Sequence, residues 1–178
     1  MGQISISMIP VMKKTLDDKD QALLGFLQED ARITSTELAK RVDLSTPGLQ
    51  KRVRKLEDSG VIEAYRAILN REALGFDMLC FVQVTLQRHE QEAVQRFRDQ
   101  VKTMPEVMEC FHLTGEYDYL LKVIVRNRKH LEHFLVDVLT PVKGMDKIRT
   151  SVVLSEIKST TAVPLDHNSE LIDKSPPE

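Results

Sequence analysis

Apolar positions along this chain follow two periods, and the change falls near Gly75. Before it the period is helical. Leu16, Leu23, Leu24 and Leu27 share one face, with Asp17, Asp18 and Asp20 gathered where a helix N-terminus favours negative charge. Leu38, Ala39 and Val42 form a second stripe, opened by Thr34 with Glu37 three residues on. That is the capping-box spacing, in which each side chain satisfies an orphan N–H. Leu49, Val53 and Leu56 form a third stripe behind Ser45-Thr46-Pro47, where a hydroxyl caps and proline fits the first turn. Helices are predicted over 16–29, 35–42 and 46–58, with Gly60 as a left-handed stop. Val61-Ile62 and residues 65–69 then read as two short strands of a wing.

After Gly75 the period is two. Strands are predicted over 78–87, 107–113, 118–126 and 147–157, with helices over 90–104 and 128–140. Pro105 stops the first of these helices, and Leu131, Phe134, Leu135, Val138 and Leu139 stripe the second. This is βαββαβ, the ferredoxin-like plan of two helices on one face of an antiparallel sheet. Met78, Cys80, Val82, Val84 and Leu86 point one way, and Leu79 and Phe81 the other; Leu120 and Ile124 repeat the second set. Two helices cover one face only, so apolar residues on the other face call for a second copy of the sheet.

The expected organisation is an arm over 1–12, a winged helix-turn-helix domain over 13–66, a linker over 67–77, an α+β ferredoxin-like domain over 78–160 and a tail over 161–178. With 178 residues and 42% apolar content, two small cores are affordable. The net charge of −2 rules out a general basic coat, so nucleic-acid binding must come from a local patch. Residues 31–60 supply one, with seven Lys/Arg against four Asp/Glu, an excess of three. Cys80 and Cys110 lie in apolar strand-like runs and read as buried free thiols. His130 and His133 share helical spacing without a ligand set around them, so no metal or cofactor is expected. No run approaches the ~18 apolar residues of a membrane span, and the N-terminus lacks a basic n-region. A cytoplasmic, membrane-free protein is expected.

The third helix carries the chemistry. Between Ser45 and Leu56 it holds Lys51, Arg52, Arg54 and Lys55 and no acid. With Leu49 and Val53 inward, the outward arc holds Pro47, Gln50, Lys51, Arg54 and Lys55. In a helix-turn-helix the second helix of the motif enters the major groove. Gln50, Lys51 and Arg54 are expected at or near base edges, arginine suiting guanine and glutamine adenine. Ser45, Arg52 and Lys55 are expected along the phosphates, with Arg52 also able to brace the helix internally, and Thr46 and Pro47 complete the expected DNA-binding set.

Three stretches, LDDKDQALLGFLQEDAR at 16–32, RVRKLEDSGVI at 52–62 and VMECFHLTGEYDYLLKV at 107–123, resemble the Lrp/AsnC (feast/famine) family of transcription regulators. The resemblance spans about 15–165. It implies a sheet-mediated homodimer, often assembled further into an octamer, bound to double-stranded DNA. It also implies an amino-acid effector in a cleft between subunits near the G-x-x-D turn, which places Gly115, Tyr117, Asp118 and Tyr119 at that cleft, with Thr150 as a hydroxyl partner. The chemistry suits a free amino acid: Asp118 for the ammonium, N–H groups around Gly115 for the carboxylate. The same four residues also make an ordinary turn between strands. The stretch IKSTTAVPL at 157–165 resembles members that respond to leucine or methionine.

Other readings fit less well. An RNA-recognition domain shares βαββαβ, but its aromatic base-stacking run is missing from DYLLKVIVR. An enzyme needs a nucleophile elbow, phosphate loop or ligand set, none of which occurs. An effector-independent architectural DNA-binding protein and a winged-helix protein-interaction module stay open as alternatives.

Overall fold

The computed structural model describes residues 16–87 and 91–165. The arm over 1–12, residue 90 at the start of an expected helix, and the tail beyond Leu165 lie outside the described residues. The described residues form two compact units, one of residues 16–67 together with 160–165, the other of the described residues between 68 and 159.

In the first unit, α1 is Asp18–Glu29, α2 Ser35–Arg41 and α3 Thr46–Asp58. Each start is set by a short polar side chain. The Asp17 carboxylate accepts from the Asp20 N–H at 2.8 Å, Thr34 Oγ1 from Glu37 N–H at 3.2 Å, and Ser45 Oγ from Gly48 N–H at 3.2 Å. The expected capping box is half formed. Thr34 plays its part, but Glu37 turns to Arg41 Nε, one helical turn ahead, at 3.0 Å. Gly60, at φ +71°, ends α3, and the N–H groups of Val61 and Ile62 both return to the Leu56 carbonyl. Leu23, Leu24, Leu38, Ala39, Val42, Leu49 and Leu56 form the buried core. Each stabilises by about 1.5–3 kcal/mol where a large aliphatic side chain leaves water.

The two wing strands are not formed. Residues 61–69 carry no ladder, and Ile68 and Leu69 are largely exposed. An isolated pair of strands is marginal in water, and runs of two and five residues are too short to hold without a third partner.

In the second unit, β1 is Met78–Leu86, α4 Gln91–Val101, β2 Val107–His112, β3 Tyr119–Val125, α5 Arg128–His133 and β4 Met145–Val152. The sheet order is β2-β3-β1-β4, antiparallel throughout, as the ferredoxin-like plan requires. Beyond α5 the chain widens into π-helical turns over Phe134–Leu139. A wider turn brings residues five apart toward one side, and Phe134 and Leu139 are both fully buried. The last strand ends at Val152 rather than 157 because its partner runs out: Val153 N–H makes one more bond, to the Leu79 carbonyl, and β1 begins at Met78.

Alternate residues of β1 and β3 enter one core with Phe97, Val101, Phe134 and Leu139. Cys80 belongs to this core, but Cys110 is exposed, since β2 is an edge strand. The other sheet face carries Leu79, Phe81, Leu120, Ile124 and, more exposed, Phe111. The expected linker is tied down on this unit. Arg71 donates to the Phe76 carbonyl at 3.0 Å and to Glu156 Oε2 at 3.0 Å.

Candidate DNA interface and effector turn

The basic helix is anchored through one face and presents the other. Leu49 and Leu56 are buried at 1% exposure, which fixes the rotation of α3. Ser45, Pro47, Gln50, Lys51, Arg54 and Lys55 are exposed, and Thr46 is half-buried. Lys51 and Arg54 have no ion partner among the described residues. Tyr65 donates to Glu57 Oε1 at 3.0 Å, and burial with that carboxylate pushes its phenol up to about 12.

Arg52 behaves differently from its basic neighbours. Its Nη1 donates to Asp17 Oδ2 at 2.6 Å and to Asp20 Oδ1 at 2.7 Å. Asp20 is 5% exposed. A buried carboxylate deprived of its cation costs about 3–5 kcal/mol, so this guanidinium is bound to α1 more tightly than an exposed phosphate contact would repay. Of the two roles read from the sequence, the internal brace is the one the geometry displays. The Arg52 hydrogen bond holds the Asp17 carboxyl below its ordinary range, and its bonds to Asp17 and then Asp20 raise the guanidinium.

The G-x-x-D turn closes β2 onto β3. Leu113 N–H donates to the Asp118 carbonyl at 2.8 Å, and Gly115 sits at φ +126°, backbone that a side chain would strain. The ladder shifts register between Thr85 and Leu86, and there the Leu86 N–H donates to Asp118 Oδ2 at 2.7 Å. Asp118 therefore already holds the end of β1 with one oxygen. Tyr117 Oη accepts from Arg149 Nη1 at 3.1 Å. Arg149 pairs with Gln83 and is exposed on the sheet face away from the helices. The sequence reading missed it, because nothing local marks one arginine on a strand.

Two of the expected effector residues lie on the helix side of the sheet. Tyr119 is 2% exposed, packed 4.6 Å from the Phe97 ring centroid and 4.9 Å from that of His112, with its hydroxyl accepting from Arg98 Nε at 3.3 Å. It is a core residue, because strand alternation sends it to the helix side with Leu121. Thr150 pairs with Val82, so it too lies on the helix side, opposite to the face that carries Arg149. Tyr117, Asp118, Gly115 and Arg149 are the group that the fold gathers.

Neither of two concavities touches this turn. One of about 340 Å³ lies between the end of α4 and Pro141, the other of about 440 Å³ between α1 and α2. Among the described residues there is no metal-ligating cluster, and no helix is long and apolar enough to cross a membrane.

Comparison with known proteins decides what these two units are. Residues 16–63 match the winged helix-turn-helix DNA-binding model, and residues 79–163 the Lrp/AsnC ligand binding domain. A leucine-responsive regulatory protein of Rhizobium meliloti is 37% identical over 155 residues, covering 87% of this chain and 99% of its own. The chain belongs to the Lrp/AsnC family. Another similar member is the leucine-responsive regulatory protein of Escherichia coli K12, 38% identical over 147 residues, covering 83% of this chain and 90% of its own. Among solved structures, a Neisseria meningitidis transcriptional regulator in complex with L-Met superposes with a TM-score of 0.82 at 39% identity, over 86% of this chain and 99% of that one. As an Lrp/AsnC protein the chain is a DNA-binding transcriptional regulator with a ligand-binding domain, and not an enzyme. The RNA-recognition and enzymatic readings fall with that assignment.

Proposed function

We propose that this regulator reads DNA with α3 in the major groove and that a small amino acid, methionine or leucine, modulates its binding or assembly. The observation that carries the DNA reading is the split on one helix: Gln50, Lys51 and Arg54 face outward while Arg52 is withdrawn onto α1. Gln50, Lys51 and Arg54 read base edges. Ser45, Thr46, Pro47 and Lys55 lie along the phosphates.

The effector sits at the Gly115–Asp118 turn. Arg149, held by Tyr117, supplies the cation for its carboxylate, and Asp118 faces its ammonium. The L-Met complex of the Neisseria relative and the leucine-responsive names of other relatives support that ligand class. The apolar sheet face of Phe81, Leu120, Ile124 and Phe111 joins two copies, which presents two α3 helices to half-sites one helical turn or a multiple apart. Effector and DNA are then coupled reciprocally by about 1–3 kcal/mol, or roughly 5–150-fold in affinity.

The test is fluorescence anisotropy on a sequence selected from a random pool, with and without methionine or leucine. The reading expects a salt-dependent, sequence-selective complex whose Kd moves at least fivefold with one of them. Sequence-selective binding that no amino acid alters would leave an effector-independent regulator and overturn the second half.

A further inference from the structure

Residues 161–165 were expected in an aperiodic tail, yet with Thr160 they pack with the helices of the first unit. Val163 N–H donates to Gln28 Oε1 at 2.6 Å, and Gln28 Nε2 donates to the Val163 carbonyl at 3.1 Å. In an extended residue the N–H and carbonyl point to one side, which is how neighbouring strands exchange both bonds. The Gln28 side-chain amide carries the same donor and acceptor pair, so it meets Val163 as a strand residue would. The sequence prepares Val163 for this, because a residue before proline is pushed to extended backbone and Pro164 follows. Leu165 then packs against the core built from Leu23, Leu38 and Leu56. Upstream, Ala162 N–H donates to Thr160 Oγ1 at 3.1 Å and shapes the approach.

We infer that the Gln28 face of α1 is a docking surface for the chain's own C-terminal segment, Thr160–Leu165, and that this segment is a strap joining the ligand-binding unit to the DNA-binding unit. The chain passes into the ligand-binding unit at Ile68 and leaves it after Ser159, so the seated strap is a second tether beside the linker. Six residues separate Val153, the last to bond to β1, from Thr160. At no more than about 3.6 Å each they allow roughly 20 Å of reach. A released strap would leave α3 held by the linker alone.

The first test is amide exchange at Val163 in the full-length protein. The strap predicts exchange at least about tenfold slower than in an unstructured chain, collapsing toward the unstructured rate in Gln28→Ala. Gln28 is exposed, so this variant keeps its core, and Leu165→Ser gives the same result by a different contact. Unprotected Val163 in the parent protein, or protection unchanged in both variants, overturns the docking. The second test uses DNA and rests on the proposed reading of two half-sites. The parent loses affinity when half-site spacing changes by half a helical turn, and Gln28→Ala or a chain ending at Ser159 narrows that loss severalfold. Identical spacing dependence with the strap released overturns the tether, while exchange at Val163 still reports on the docking alone.

Discussion

Arg52 of α3 meets Asp20 of α1 at 2.7 Å, joining the third helix to the first through a carboxylate that is nearly sealed from water. Loss of either partner strands the other. Arg52→Gln is expected to destabilise the helical unit by about 3 kcal/mol, the lower end for a broken buried pair because Arg52 keeps partial contact with solvent. Its salt dependence of DNA binding should match the parent. Lys51→Ala should flatten that slope by about one unit. Chemical denaturation and anisotropy across a salt series measure both, and a flattened slope in Arg52→Gln would return Arg52 to the phosphates.

Arg54→Ala is expected to relax the choice of base at one position of the site, at about 1–3 kcal/mol. Lys55→Ala should weaken binding to all sequences alike. Selection from a random pool separates them, and two variants with the same preference as the parent would contradict the division between reading and anchoring.

Acid should loosen the helical unit through Asp17. Its carboxyl is held below the ordinary 3.8, chiefly by the Arg52 hydrogen bond. A group with a depressed folded pKa contributes stability above its unfolded value and loses it as pH falls through the folded one. The stabilisation is therefore full above about pH 4 and declines below it. Asp17 is half-exposed, so solvent screens the effect and it is small. Urea midpoints between pH 5 and pH 2 should fall less in Asp17→Asn than in the parent.

Asp43 lies at φ +50° in the turn before α3, where a side chain strains the backbone. Lys19 Nζ donates to its carbonyl at 2.6 Å, a bond that glycine keeps. Asp43→Gly loses only an ion pair at 3.5 Å to a fully exposed carboxylate. It should raise stability by up to about 1 kcal/mol, seen as a higher Tm. A lower Tm would mean that the aspartate, not the backbone, sets the turn.

What the sequence displayed depended on distance along the chain. Helical stripes and strand alternation are local, so α1–α5, the four strands and the outward arc of α3 were all legible from Leu16 to Val152. The half-formed capping box turned on one competition, since Glu37 had Arg41 within reach one turn ahead. Arg52 looked like its basic neighbours because its acids lie 32 and 35 residues upstream. Alternation alone groups Tyr119 with Leu121 and Val123, whereas the face of Thr150 follows from the register that pairs it with Val82. The wing failed for want of a third strand. The Gln28–Val163 contact spans 135 residues, and no local pattern announces it.

Tyr117→Phe removes the hydroxyl that holds Arg149 and should weaken the amino-acid effect while leaving DNA affinity without effector unchanged. Arg149→Gln should abolish it, since a carboxylate then loses its cation. Anisotropy with saturating amino acid checks both, and a full response in Arg149→Gln would move the carboxylate to other donors.

The central claim, that an amino acid occupies the ligand-binding unit at this turn, is tested most directly by a thermal-shift screen of the protein against the twenty amino acids, repeated on Arg149→Gln. A ligand at 100 times its Kd adds about 2.7 kcal/mol. For a chain of this size that is a rise of several degrees, at about 2–4 °C per kcal/mol. The account predicts such a rise with methionine or leucine and its loss in the variant. A Tm that none of the twenty moves would contradict it.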